Sequence, residues 1–212
     1  MNDDPLDLQQ QMLVPMAALT AVGNVSALNG VLQRALDAGL TISAIREALV
    51  QLYAYVGFPR SLNALGEFMK VLAERQQRGI VDIAGAEPAP FPDDTDLLAF
   101  GTVNQTQLVG VPVKGPLFDF APAMDQFLKA HLFGAIFGRD NLDWRSRELA
   151  TVGALSALPG AESQLQAHIA ISINIGLTEQ QLHQVLPLLA QLVEPSVAQR
   201  LRSALMQRQS VA

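Results

Sequence analysis

A histidine and a glutamate stand on helical stripes that are otherwise apolar, where an ionisable group needs a reason to be. His168 shares a face with Leu165, Ser172 and Ile175, and lies one turn after Gln164 and two after Ala161. Glu148 lies on a stripe with Val152 and Leu155, so a carboxylate buried there needs a partner. Histidine gains and loses a proton near neutrality and a carboxylate can orient it, so His168 and Glu148 are the candidate acid-base pair. The plain rivals are a satisfied core histidine and an acidic residue placed early in a helix.

Around that pair stand further candidates. Arg147 is about a third of a turn from Glu148, which suits it to a substrate carboxylate or a partner subunit rather than to the same site. Gln164, on the His168 helix, is a candidate substrate contact. His131, in "LKAHLFG", could face the same pocket or serve an interface or the core. Tyr53 and Tyr55 are two apart and cannot share a helical face; Tyr53 follows the apolar stripe, as core or as a pocket-lining hydroxyl, and Tyr55 does not. His183 reads as a solvated helix residue, and Trp144 as a staple at the start of the Glu148 helix or an aromatic wall for a ligand.

Composition excludes other chemistries. The 212 residues contain no cysteine, which removes disulfides, thiolate nucleophiles and Cys-ligated zinc together. The three histidines have no metal-site spacing, and no glycine-rich phosphate loop occurs, so neither a metal nor a nucleotide cofactor is expected. A net charge of -6 with scattered Lys and Arg argues against a nucleic-acid surface. No run of 18 uncharged apolar residues appears, and the acidic start "MNDDPLDLQQQ" does not resemble a signal peptide. A cytoplasmic protein that binds no membrane is the expectation.

The elements that must position these residues all carry helical periodicity. Ile45, Leu49, Leu52, Tyr53 and Val56 form one stripe, and after a Gly57–Pro59 break Leu62, Leu65, Phe68, Met69 and Leu72 form another. Between residues 85 and 122, where six of the twelve prolines fall, the texture becomes that of an ordered connector with a short helix near 95–109. "LTAVGNVSAL" at 19–28 matches "LATVGALSAL" at 149–158, an offset of 130. "DAGLTISAIREAL" at 37–49 matches "NIGLTEQQLHQVL" at 174–186, an offset of 137, which implies seven extra residues in the second copy. In both copies Gly-Leu-Thr ends one helix and caps the next, with capping-box spacing from Thr178 to Gln181. "LVEPSVAQRLRSAL" then parallels "YVGFPRSLNALGEF" with one residue deleted. The reading is an all-α chain of two tandem helical repeats, at 6–84 and 123–210, joined by a connector at 85–122.

The stretch "RELATVGALSALPGAESQLQAHIAISINIGLTEQQLHQVLPLL" resembles the core of the carboxymuconolactone decarboxylase family, and "GLTISAIREALVQLYAYVGFPRSLNAL" resembles its continuation to a Gly-x-Pro corner. The resemblance implies the helical fold shared with alkylhydroperoxidase D and a homo-oligomer, a trimer in tandem-repeat members. In the family's redox branch a Cys-x-x-Cys-x-x-x-His signature would fall on Ala161, Gln164 and His168, so both sulfurs are missing and thiol peroxidase activity is not expected. The position matching His168 in the first repeat is Val31, and the one matching Glu148 is Ala18, which confines the site to the second repeat. The lyase branch implies cofactor-independent decarboxylation of a small acidic lactone of aromatic catabolism, with a non-catalytic binding or scaffold protein as the alternative.

Overall fold

The structure, a computed structural model, describes residues 4–209, and among these the chain is helical with no strand. In the first repeat, α1 (Leu8–Val22) starts at Asp7, whose carboxylate accepts the Gln10 N–H at 2.7 Å in a capping box. α2 (Val25–Asp37) ends before Gly39, and Thr41 then caps α3 (Ile42–Gln51) through the Ala44 N–H. α4 (Tyr53–Gln77) is two helical pieces joined at Gly57, whose φ of +78° is left-handed and open to glycine at little cost; Pro59 follows in the new direction. The Gly-Phe-Pro stretch is therefore a corner.

The connector carries α5 (Leu97–Val109) and two short helices, α6 (Pro116–Phe120) and α7 (Pro122–Gln126). A π-helix, Phe127–Ile136, comes next, where the sequence pattern suggested an ordinary helix. The second repeat comprises α8 (Trp144–Ser156), α9 (Glu162–Asn174), α10 (Glu179–Gln184), α11 (Leu186–Leu192) and α12 (Pro195–Gln209). Thr178 and Gln181 form the capping box that their spacing indicated.

The two repeats share a plan: α1 packs on α2 as α8 packs on α9, and α2 meets α4 as α9 meets α12. The register between them differs from the one suggested by the 19–28 match. An offset of 137 carries α2 onto α9 from end to end, and carries Gly39 and Thr41 onto Gly176 and Thr178. It also carries Gly23 onto Gly160, both of them left-handed with φ of +77° and +87°. The second copy thus has no seven-residue insertion. The 130 offset had paired the end of α1 with the middle of α8.

α1 and α8, the equivalent helices of the two repeats, pack against each other. Gly153 lets them approach, because a Cβ there would lie 2.4 Å from the Val14 carbonyl oxygen. A continuous core runs from Leu13, Met16 and Leu19 through Leu49 to Leu149, Val152, Leu189 and Leu201. Each such leucine contributes about 1.5–3 kcal/mol on burial. A smaller cluster of Leu108, Phe133, Phe137 and Ile171 joins α5, the π-helix and α9.

The connector is laced to both halves. Just before it, the Ile83 and Ala84 carbonyls accept the Ile42 and Ser43 N–H groups at 2.9 Å, satisfying donors that the first turn of α3 leaves open, and within it the Ala86 carbonyl accepts the Ser43 hydroxyl at 2.6 Å. α5 lies against the π-helix at Gly101 and Gly134, where Cβ atoms would collide with backbone at Lys129 and Leu97.

Candidate functional site

Asp143 sets the start of α8: it accepts the Ser146 N–H at 3.0 Å and the Ser146 hydroxyl at 2.7 Å. Trp144 donates its indole N–H to the Phe137 carbonyl at 3.0 Å, tying that start to the end of the π-helix. From this anchored turn Arg147 and Glu148, adjacent in sequence, leave in different directions.

Glu148 meets α9. Its Oε2 lies 2.8 Å from His168 Nδ1, so with the carboxylate accepting, the ring proton sits on Nδ1 and Nε2 is left to act. Nε2 makes no hydrogen bond among the described residues, and the His168 side chain is 10% exposed whereas Glu148 is fully buried. The backbone carbonyl of His168 is held by the Ser172 hydroxyl at 2.7 Å. Glu148 Oε1 is buried and has no hydrogen-bond partner.

Tyr55 is the residue that sequence reasoning missed. Its ring stands edge-on to the His168 imidazole, with centroids 5.5 Å apart and planes at 80°. Its hydroxyl oxygen is buried without a hydrogen bond of acceptable geometry, although it lies toward the Thr151 hydroxyl. Thr151 is already engaged, donating to the Arg147 carbonyl at 2.9 Å and accepting from Gln51 at 2.8 Å. Burial above all, and then the charge of Glu148, push the Tyr55 phenol far above its ordinary pKa, so it stays a neutral donor. The helical stripe of α3 had pointed to Tyr53, but the helix breaks at Leu52 and the stripe does not carry through.

Arg147 turns the other way, into the first repeat. Its guanidinium donates to Glu47 at 2.9 Å, to Gln51 at 3.1 Å, and to the carbonyls of Arg139 and Leu142 at 2.9 and 3.1 Å. It is fully buried, so nothing of it is left for a substrate carboxylate, and that expectation is corrected: the side chain joins the two repeats. Glu47 is also paired with Arg139 at 2.9 Å. Burial alone would raise the Glu47 pKa; the hydrogen bonds and charges of Arg139 and Arg147 outweigh it and hold the carboxyl below its usual range.

Of the other expected site residues, Tyr53 and His131 come together and the pair lies beside the site. Tyr53 stacks on Phe58 at 4.5 Å and meets the exposed His131 ring at 5.5 Å. Both tyrosines pack on the same small cluster that includes Ile171 of α9. Gln164 is exposed and accepts from Ser163, one turn before His168. Among the described residues no cluster of three His, Asp or Glu could hold a metal ion, and no helix is long and apolar enough to cross a membrane.

The first repeat lacks the pair. In the corrected register Gln11, not Ala18, stands opposite Glu148, and the buried Val31 stands opposite His168. Gln11 instead donates to the Leu6 carbonyl at 2.7 Å. The model of the carboxymuconolactone decarboxylase family matches residues 1–68 and 122–205, most of the chain in two stretches. The chain belongs to the carboxymuconolactone decarboxylase family. The unmatched interval holds the end of α4 and the connector. The chain matches the family in two segments and has no cysteine. A comparison with curated proteins finds no match.

Proposed function

We propose that this family member is a cofactor-independent carboxy-lyase acting on a small acidic lactone of aromatic catabolism. The observation that supports it is the His168–Glu148 hydrogen bond, buried on one side and with Nε2 unbonded on the other. The carbon–carboxyl bond breaks, carbon dioxide leaves, and its electron pair passes into an enolate. Doubly protonated His168 delivers the Nε2 proton to carbon, and Glu148 stabilises the imidazolium before delivery. A proton from solvent restores the ring. The test is turnover of 4-carboxymuconolactone at neutral pH, followed as substrate loss and carbon dioxide release. Turnover that collapses in His168→Ala supports the reading; no turnover in the unaltered protein refutes it for this substrate and favours a binding or scaffold role.

The same reading takes the working form to be a homo-oligomer, with a trimer as the expected state. Leu117, Phe120, Met124 and Phe127, on the segment leading into the π-helix, are all exposed in the single chain, Phe120 at 88%. Light scattering tests this, and a stable monomer at micromolar concentration refutes it.

A further inference from the structure

Two buried polar atoms at the site have no hydrogen bond: Glu148 Oε1 and the Tyr55 hydroxyl. They differ in kind. An ionised carboxylate oxygen can only accept, whereas a phenol both donates and accepts. They lie on the same side of α8: the Tyr55 ring stands edge-on to His168, whose Nδ1 meets the other Glu148 oxygen at 2.8 Å, and the hydroxyl is directed toward Thr151, one turn after Glu148. Leaving either atom unpaired costs about 1–3 kcal/mol, and such groups are rare unless a water or a ligand satisfies them.

We propose that Tyr55, contributed by the first repeat, is a positioning residue that holds a hydroxyl oxygen, a water molecule in the free protein, against Glu148 Oε1. The occupant must accept a hydrogen bond from the phenol and donate one to the carboxylate. A water or an alcohol or enol oxygen does both; a carboxylate or ketone oxygen cannot donate and would face the Glu148 charge unrelieved. The chain of contacts then runs from Tyr55 through this oxygen to Glu148 and on to His168 Nδ1, with both Glu148 oxygens engaged. By donating indirectly to Glu148, Tyr55 lowers the hold of the carboxylate on the imidazolium and so sets how readily His168 gives up its proton. The ring of Tyr55, edge-on to His168, fixes the imidazole plane in the same arrangement. This inference concerns the site in its resting form and holds whichever acid is turned over.

Tyr55→Phe keeps the ring and removes only the hydroxyl, so the fold is retained and circular dichroism checks that it is. Two measurements on the full chain test the idea. A high-resolution crystal structure of the unaltered protein should show an ordered oxygen within hydrogen-bond distance of both Tyr55 Oη and Glu148 Oε1, lost in Tyr55→Phe. A nitrogen NMR titration of His168, assigned with His168→Ala, should show its pKa rising by about half a unit to one unit in Tyr55→Phe, the equivalent of one lost hydrogen bond. No oxygen between the two atoms, or a His168 titration that Tyr55→Phe leaves within about 0.2 unit, overturns the proposal. Neither readout depends on turnover, so the failure of the lyase reading and the failure of this one are separable.

Discussion

Removing the Glu47 carboxylate is the sharpest test of how the two repeats are held together. Arg147 has no exposed surface, and Glu47 is its carboxylate partner; Glu47→Ala therefore leaves a buried guanidinium with neutral oxygens alone. Breaking a buried pair from one side costs about 3–5 kcal/mol. For a chain of this length one kcal/mol moves Tm by about 2–4 °C, so the midpoint should fall by about 6–20 °C at constant protein concentration. Removing both charges behaves differently. Glu47→Leu combined with Arg147→Met leaves no buried charge unpaired, since Arg139, the other partner of Glu47, is partly exposed, and in thermal unfolding followed by circular dichroism it should recover most of the loss, as replaced buried ion pairs commonly do. The pH dependence has a definite sign. The folded Glu47 carboxyl is held below its usual range, so its contribution is complete above the ordinary glutamate pKa and is lost as pH falls through the lower folded value. Acidification should accordingly narrow the gap between the unaltered protein and Glu47→Ala. A single substitution costing under about 1 kcal/mol, or a double variant as unstable as the single one, would refute the reasoning.

Gly153→Ala should lower stability by about 1–3 kcal/mol in denaturant unfolding, since its Cβ would press on the Val14 carbonyl, whereas Gly66→Ala on open α4 surface should be neutral or raise it by up to about 1 kcal/mol. Glu148→Gln and His168→Ala should each reduce lactone turnover by about 100-fold or more, with overall helicity unchanged in circular dichroism. A hydrogen peroxide consumption assay with a thiol reductant should show no turnover, because no thiolate exists to be oxidised.

The sequence made some features plain and left others hidden, for reasons set by the range of each interaction. The Gly-Leu-Thr joints were legible because a left-handed glycine and a threonine cap act within a few residues. The Glu148–His168 pair was legible because each side chain interrupts an apolar face and needs the other. The repeat register was misread because Leu, Gly and Ala recur on any packed helix: Gly23 ends α1 with a left-handed turn, while Gly153 lies mid-helix at a crossing. Arg147 was misassigned because its partner Glu47 is a hundred residues away and belongs to the other repeat. Tyr55 was missed because a helical stripe was extended through Leu52, where α3 ends and the next helix begins.

The Gly153 crossing has a mechanical consequence. Glu148 and His168 belong to one repeat and would move as a unit, but Tyr55 reaches them from the other. With backbone already against backbone at Val14, the halves have no slack to close further, so the spacing of the phenol from the carboxylate has a built-in lower limit. Widening that crossing by a single methyl group would part α1 from α8 while leaving the Glu148–His168 distance, set within one repeat, untouched.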